Sequence, residues 1–142
     1  MLLSRACEYA LQALLYIAAA PNGKYILARE IAEHHDLSYH FLGKILQGLV
    51  KNGLLTSQKG PGGGFMLAKS ASEITLLEVI HAIEGPNVLE GCVLGLPRCG
   101  EPNPCPVHYH WAQVKEQIYN MFASQTVAQL LDVAKQRDAS TN

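Results

Sequence analysis

Apolar residues recur at threes and fours through the first fifty positions, the spacing of helices that bury one face. Behind a capping Ser4, residues Leu11, Leu14, Leu15 and Ala18 share a face of a first helix running to about Ala20. The stretch PNGK at 21–24 ends it, because Pro and Gly both interrupt a helix. A second helix is expected over Ala28 to His35. Ser38 caps a third, SYHFLGKILQGLVKNG, in which Phe41, Leu42, Ile45, Leu46, Leu49 and Val50 keep helical spacing and Gly53 closes the C-terminus. Two short helices joined by a few residues form a helix-turn-helix pattern. After it, LLTSQ and FMLAK read as strands joined by the tight turn KGPGGG, a hairpin laid beside the helix pair as a wing.

Thr75 and Glu78 have the spacing of a capping box and open a helix, LLEVIHAIE, that Gly85 stops. Residues 86–106 hold too many prolines and glycines for a regular element. From about Pro106 a long helix is expected to Ala123, with Val107, Trp111, Val114, Ile118, Met121 and Phe122 along one stripe. A chain this small has little to cover that stripe, which points to a twin helix in a symmetric homodimer. The alternative is that the long helix folds back on the first helix. A short last helix, VAQLLDVAKQ, precedes a polar tail. The expected fold is mainly α: a winged helix-turn-helix domain at 1–85, a cysteine-rich loop at 86–106, and a C-terminal dimerisation helix with its short successor at 107–142.

At 142 residues the chain suffices for one domain, or a small domain with a helical extension. Charged residues make up 16%, below the usual quarter, which agrees with extra surface buried in an oligomer. The net charge of -1 conceals a division. Residues 1–70 carry seven Lys or Arg against four acids, and residues 71–142 carry four against eight. One half therefore suits a nucleic-acid surface and the other does not. The densest apolar stretch, YALQALLYIAAA, is too short to span a bilayer and contains Gln12. No membrane association is expected. A cytoplasmic location follows as the working reading, in which thiols stay reduced and structural disulfides are not expected.

If the third helix enters a major groove, Ser38, Tyr39 and His40 face base edges, while Lys44, Gln47 and Lys51 lie further along for phosphates or groove edges. Tyr39 and His40 could equally be packing residues. In the wing, Lys59 and the backbone N–H groups around Gly60, Gly62 and Gly63 suit a phosphate or the adjacent minor groove. The same loop lacks the spacing and terminal Lys-Ser/Thr pair of a nucleotide-binding P-loop.

Three of the four cysteines, Cys92, Cys99 and Cys105, fall within the 86–106 loop, and His108 and His110 follow at once. A flexible loop can wrap three thiolates around one centre. With one further ligand they suit an iron–sulfur cluster ([2Fe-2S] or [4Fe-4S]) or a Cys3His zinc site. The spacing is wider than in structural zinc knuckles, which favours a cluster. A metal-free thiol switch is a third reading. No triad or paired-carboxylate arrangement stands out, so no enzymatic activity is expected. Cys7 lies among apolar residues and reads as a buried small hydrophobe.

The stretches LSRACEYALQALLYIA, REIAEHHDLSYHFLGKILQGLVKNGLLTSQKGPGGGFMLAK and ITLLEVIHAIEG, followed by the three cysteines, resemble the Rrf2 family of bacterial transcription regulators, in its iron–sulfur branch. The resemblance covers nearly the whole chain. It implies a homodimer of winged helix-turn-helix domains crossed by a long helix, binding a palindromic double-stranded DNA operator, and expected to repress. By the same resemblance Cys92, Cys99 and Cys105 match the thiolate ligands and His108 a histidine ligand. Glu8 matches a carboxylate supplied across the dimer in some members. Three features depart from the family pattern: six residues separate the first two cysteines, Gly43 stands in place of a glutamate, and Lys59 in place of a frequent arginine.

Overall fold

The computed structural model describes residues 3–97, Gly100 and residues 102–141, with the backbone alone at 139–141. Helix α1 (Arg5–Ala19) starts where the Ser4 side chain accepts from the Cys7 N–H, and buries Cys7, Ala10, Ala13, Leu14 and Ile17. Helix α2 (Ala28–His35) ends at Asp36, which adopts the left-handed conformation at φ 54°. Helix α3 (Tyr39–Lys51) begins at Ser38, whose hydroxyl accepts from the Phe41 N–H, and is followed by Gly53 at φ +79°. That glycine closes the helix because a left-handed residue there costs it nothing sterically.

Strands β1 (Leu55–Gln58) and β2 (Gly64–Leu67) pair antiparallel, Leu55 opposite Leu67 and Gln58 opposite Gly64. The hairpin is docked by a further bridge: Ile26 and Phe65 exchange both backbone N–H···O bonds at 2.8 Å. After a short 3-10 turn (Ala71–Glu73), helix α4 (Leu76–Glu84) opens with both halves of the Thr75/Glu78 capping box formed. Helix α5 (His108–Ala123) starts two residues later than the sequence suggests, because a turn from Cys105 to His108 precedes it. Helix α6 (Val127–Thr141) is longer than expected.

The core joins α1, α2, α3, the wing and α4 around Leu14, Ile31, Leu42, Leu46, Leu49, Leu55 and Val79. Each such side chain contributes about 1.5–3 kcal/mol by leaving water. Among the described residues no polar side chain is fully buried. Phe41, expected in the core, is instead 39% exposed, its ring edge-on to Tyr9 at 5.6 Å. Tyr16 on α1 donates to Glu30 on α2 at 2.7 Å, which pushes the phenol pKa up.

The fold-back on α1 is made by α6 rather than α5. Val127 is buried in the core, and Thr75 bridges Thr126 at the start of α6. Helix α5 packs on α4 but has no fully buried residue, and Tyr109, Val114 and Met121 stand exposed along it. Among the described residues no helix is long and apolar enough to cross a membrane. The architecture is mainly α, a winged helix-turn-helix followed by a long C-terminal helix.

Candidate functional site

Two surfaces hold the residues singled out by the sequence. The first is the outer face of α3. Its buried stripe (Leu42, Ile45, Leu46, Leu49) holds the helix on the core and turns Ser38, Tyr39, His40, Lys44, Gln47 and Lys51 to solvent. Tyr39 is 51% exposed and stands outside the buried core. A groove lined by Ala28, Tyr39, His40, Gly43, Lys44, Gln47 and Phe65 runs between this face and the wing. Gly43 leaves its floor open, with nothing within 4 Å of where a Cβ would stand. Sequence reasoning missed Arg29, whose guanidinium sits 5.8 Å over the Tyr39 ring, within cation–π range. Its place in the first turn of α2 was visible, but not that the turn faces the start of α3.

At the wing tip Lys59, Gly60 and Gly62 are exposed. Gly63 corrects the expectation of a run of free N–H groups. It is buried, its N–H donates to the Gly60 carbonyl at 2.9 Å, and a Cβ there would stand 2.2 Å from the Gln58 carbonyl oxygen. The turn uses the Gly63 N–H internally, while Lys59, Gly60 and Gly62 remain exposed.

The second surface is the loop before α5. Buried Leu89 anchors it, and the Trp111 indole N–H donates to the Gly91 carbonyl at 3.1 Å. The Cys92 and Cys105 sulfurs lie 3.7 Å apart, and the Leu94 N–H points at the Cys92 sulfur at 3.4 Å. The His108 N–H donates to the Cys105 carbonyl at 3.1 Å, tying the second cysteine to the first turn of α5. A cavity of about 150 Å³ is lined by Cys92, Cys105, His108, Trp111 and Lys115, with Gly91, Val93 and Ala112.

Of the predicted ligands, the structure therefore brings Cys92, Cys105 and His108 to one cavity. Cys99 lies outside the described residues. Glu8, in the first turn of α1, is not among the cavity's lining residues. Among the described residues no three His, Cys, Asp or Glu side chains gather closely enough to hold a metal ion. Trp111 and Lys115 were missed as site residues. Periodicity shows Trp111 only as part of an apolar stripe, because a donor's partner twenty residues away leaves no trace in it. Cys7 is fully buried as expected, and burial, then Glu84, then Glu8 push its thiol pKa from 9.0 to about 11.

The chain resembles known proteins along nearly its full length. The profile of the family described as Rrf2, iron-dependent transcriptional regulator, matches residues 3–133. The HTH-type transcriptional regulator IscR of Photorhabdus laumondii is 32% identical over 137 residues, covering 92% of this chain and 83% of the relative. The solved structure of T. potens IscR superposes with a TM-score of 0.75 at 27% identity, covering 95% of this chain and 89% of the other. CymR, the global cysteine regulator of B. subtilis, superposes with a TM-score of 0.79 at 22% identity, covering 92% and 96%, a likeness of fold.

Proposed function

The chain belongs to the Rrf2 family of helix-turn-helix transcriptional regulators, not a family of enzymes, and we propose that it is a DNA-binding regulator of the iron–sulfur branch. The observation that carries this reading is the convergence of Cys92, Cys105 and His108 on one cavity where the ligand loop meets α5. The donor types are those a metal centre uses, and the described side chains would have to draw together to hold one. Two soft sulfurs and an imidazole line a space walled by Trp111, and the Leu94 N–H is directed at the Cys92 sulfur, an arrangement that favours the thiolate. Cys92, Cys99 and Cys105 would hold the cluster, with His108 or Glu8 of the partner subunit as fourth ligand. When bound, a cluster supplies a centre that oxidants, nitric oxide or iron shortage can alter.

The chain's own residues then relate that centre to DNA. Val114 and Met121 keep an apolar face of α5 exposed, which supports a homodimer built on α5 against its twin. Two α3 helices would then read successive major grooves of a palindromic operator about 34–36 Å apart. Trp111 and His108 attach the loop to α5, so the order of the loop sets how α5 sits beneath the winged domain. Ser38, Tyr39, His40, Lys44, Gln47 and Lys51 would meet the groove, and Lys59, Gly60 and Gly62 the backbone beside it. Residues 1–85 act as the reading unit, 86–106 as the sensor loop and 107–142 as the dimerisation unit of a cytoplasmic repressor.

The test is anaerobic purification, visible absorption with iron and sulfide assays, and operator titration of loaded and stripped protein. Absorption between roughly 320 and 460 nm with matching iron and sulfide, and an affinity that changes on stripping, is the expected result. Equal affinity and specificity in both states would overturn the sensor role. A colourless protein with one zinc per chain would replace it with a structural site.

A further inference from the structure

We infer that Gly43 opens a thymine-reading notch in α3: the space where its side chain would stand takes the C5-methyl group of a thymine in the major groove. The inference rests on the proposed DNA-binding role of α3 and goes further, because it names the base group that is read and the residue that admits it.

Nothing within the subunit requires a glycine at this position. Gly43 lies inside α3 and is not among the glycines with positive φ, so its backbone suits any residue. A Cβ there would meet nothing within 4 Å. At Gly63 and Gly64, by contrast, the same atom would stand 2.2 and 2.4 Å from a carbonyl oxygen. Those two glycines serve packing within the chain, and Gly43 does not. Inside a helix a glycine is less favourable than an alanine, so its presence weakens α3 without easing any internal contact. Gly48 is equally open, but it lies about 140° further round the helix and lines no part of the groove between α3 and the wing. The room left by Gly43 opens into that groove.

The surroundings of the notch decide what fits it. His40 precedes Gly43 by three residues and Gln47 follows it by four, so the gap lies in the middle of the exposed face of α3. The groove is floored by Ala28 and by Phe65 of the wing, both buried apolar residues. His40, Lys44 and Gln47, all exposed, form its polar rim. Its lining carries the cation of Lys44 and no carboxylate, which suits a polyanion. Among the base edges that a major groove presents, the one apolar group is the thymine methyl, set beside hydrogen-bonding atoms. An apolar floor under a polar, cationic rim matches that combination. A side chain at residue 43 would fill the space the methyl needs.

The test begins with selection of an operator from a random double-stranded DNA library by the full chain. Recovery of no preferred sequence would overturn the DNA-binding reading and this assignment with it. In the selected duplex each thymine is then replaced in turn by deoxyuridine, which removes only the methyl group, and affinity is measured by fluorescence anisotropy. At one thymine in each half-site the wild type should lose about fourfold, the effect of exposing one buried methyl. Gly43→Ala should bind the thymine and deoxyuridine duplexes about equally, because its own methyl fills the notch. Gly48→Ala should keep the wild-type preference. Gly43→Ala should also unfold at a temperature no lower than the wild type, which separates a filled notch from a damaged fold. If no thymine methyl matters to the wild type, the assignment is overturned while DNA binding stands. A thymine preference that survives intact in Gly43→Ala overturns it equally, since the methyl would then be read elsewhere.

Discussion

The guanidinium of Arg29 lies 5.8 Å over the ring of Tyr39, joining the first turn of α2 to the first residue of α3. The contact draws a flexible cation to the exposed end of the helix that carries His40, Lys44 and Gln47. Arg29→Ala should lower operator affinity several-fold at moderate salt and reduce the slope of log K against log salt by about 1, the signature of one phosphate contact. Tyr39→Leu should keep most of the slope but blur the preference between operator variants, because the charge remains while its support and the aromatic edge are lost. Fluorescence anisotropy across a salt series separates the two. An unchanged slope for Arg29→Ala would remove that residue from the interface.

Lys59 stands at the wing tip, exposed and next to a turn whose Gly60 and Gly62 hold positive φ. Lys59→Ala should weaken binding to all sequences alike and lower the salt slope by about 1. Lys59→Arg should restore the slope, and if the wing meets a groove edge it should also sharpen specificity, because only the guanidinium can fork across two acceptors.

Much of this arrangement was legible beforehand because it is local. Ser4, Ser38 and Thr75 cap the helices they were expected to cap, and α2 spans Ala28–His35 as read. What was not legible is long-range. Nothing in the stretch around Ile26 announces that it bonds to Phe65, nothing in Thr126 that it bridges Thr75, and nothing in Trp111 that its indole reaches Gly91. Periodicity shows which face of a helix is apolar but not what covers it. So α5 and α6 were both identified, while the packing of α6 on α1 was not legible.

The bridge at Ile26 gives one glycine a role that its neighbours lack. Gly64 has φ +135°, and a Cβ there would stand 2.4 Å from the Ile26 carbonyl oxygen. Gly64→Ala should therefore undock the wing and cost about 3 kcal/mol or more. Gly62→Ala, at φ +75° in open space, should cost only about 1–2 kcal/mol from its left-handed backbone. Urea unfolding of the two variants gives the comparison.

Cys7 sets a pH dependence. Its thiol pKa rises from 9.0 to about 11, first through burial and then through Glu84 and Glu8. The folded state thus holds this proton more tightly than the unfolded chain. The resulting stability is complete below pH 9.0 and is lost as pH climbs to about 11. The wild type should exceed Cys7→Ala by on the order of 1 kcal/mol at pH 8, from the buried sulfur. That margin should shrink across the pH 9–11 window when guanidinium unfolding is repeated at each pH. A constant margin would mean that the thiol does not ionise more readily on unfolding.

Trp111 offers the closest test of how the proposed sensor loop is supported. It is the chain's single tryptophan, it lines the Cys92–Cys105 cavity, and its indole N–H is bonded to the Gly91 carbonyl. Trp111→Phe keeps an aromatic wall but removes that bond, which frees the backbone beside Cys92. Partners that orient metal ligands typically matter by about 10–100-fold in metal affinity. If the proposed cluster is bound there, its iron should be lost to a chelator correspondingly faster, while the winged domain keeps its stability, since Trp111 lies outside the buried core. In wild-type protein loaded with the proposed cluster, indole emission should rise as metal is removed, giving a direct clock for loop release. If Trp111→Phe holds its metal as tightly as the wild type, the anchor is dispensable and the cysteine pair must be positioned by the His108 side of the loop alone.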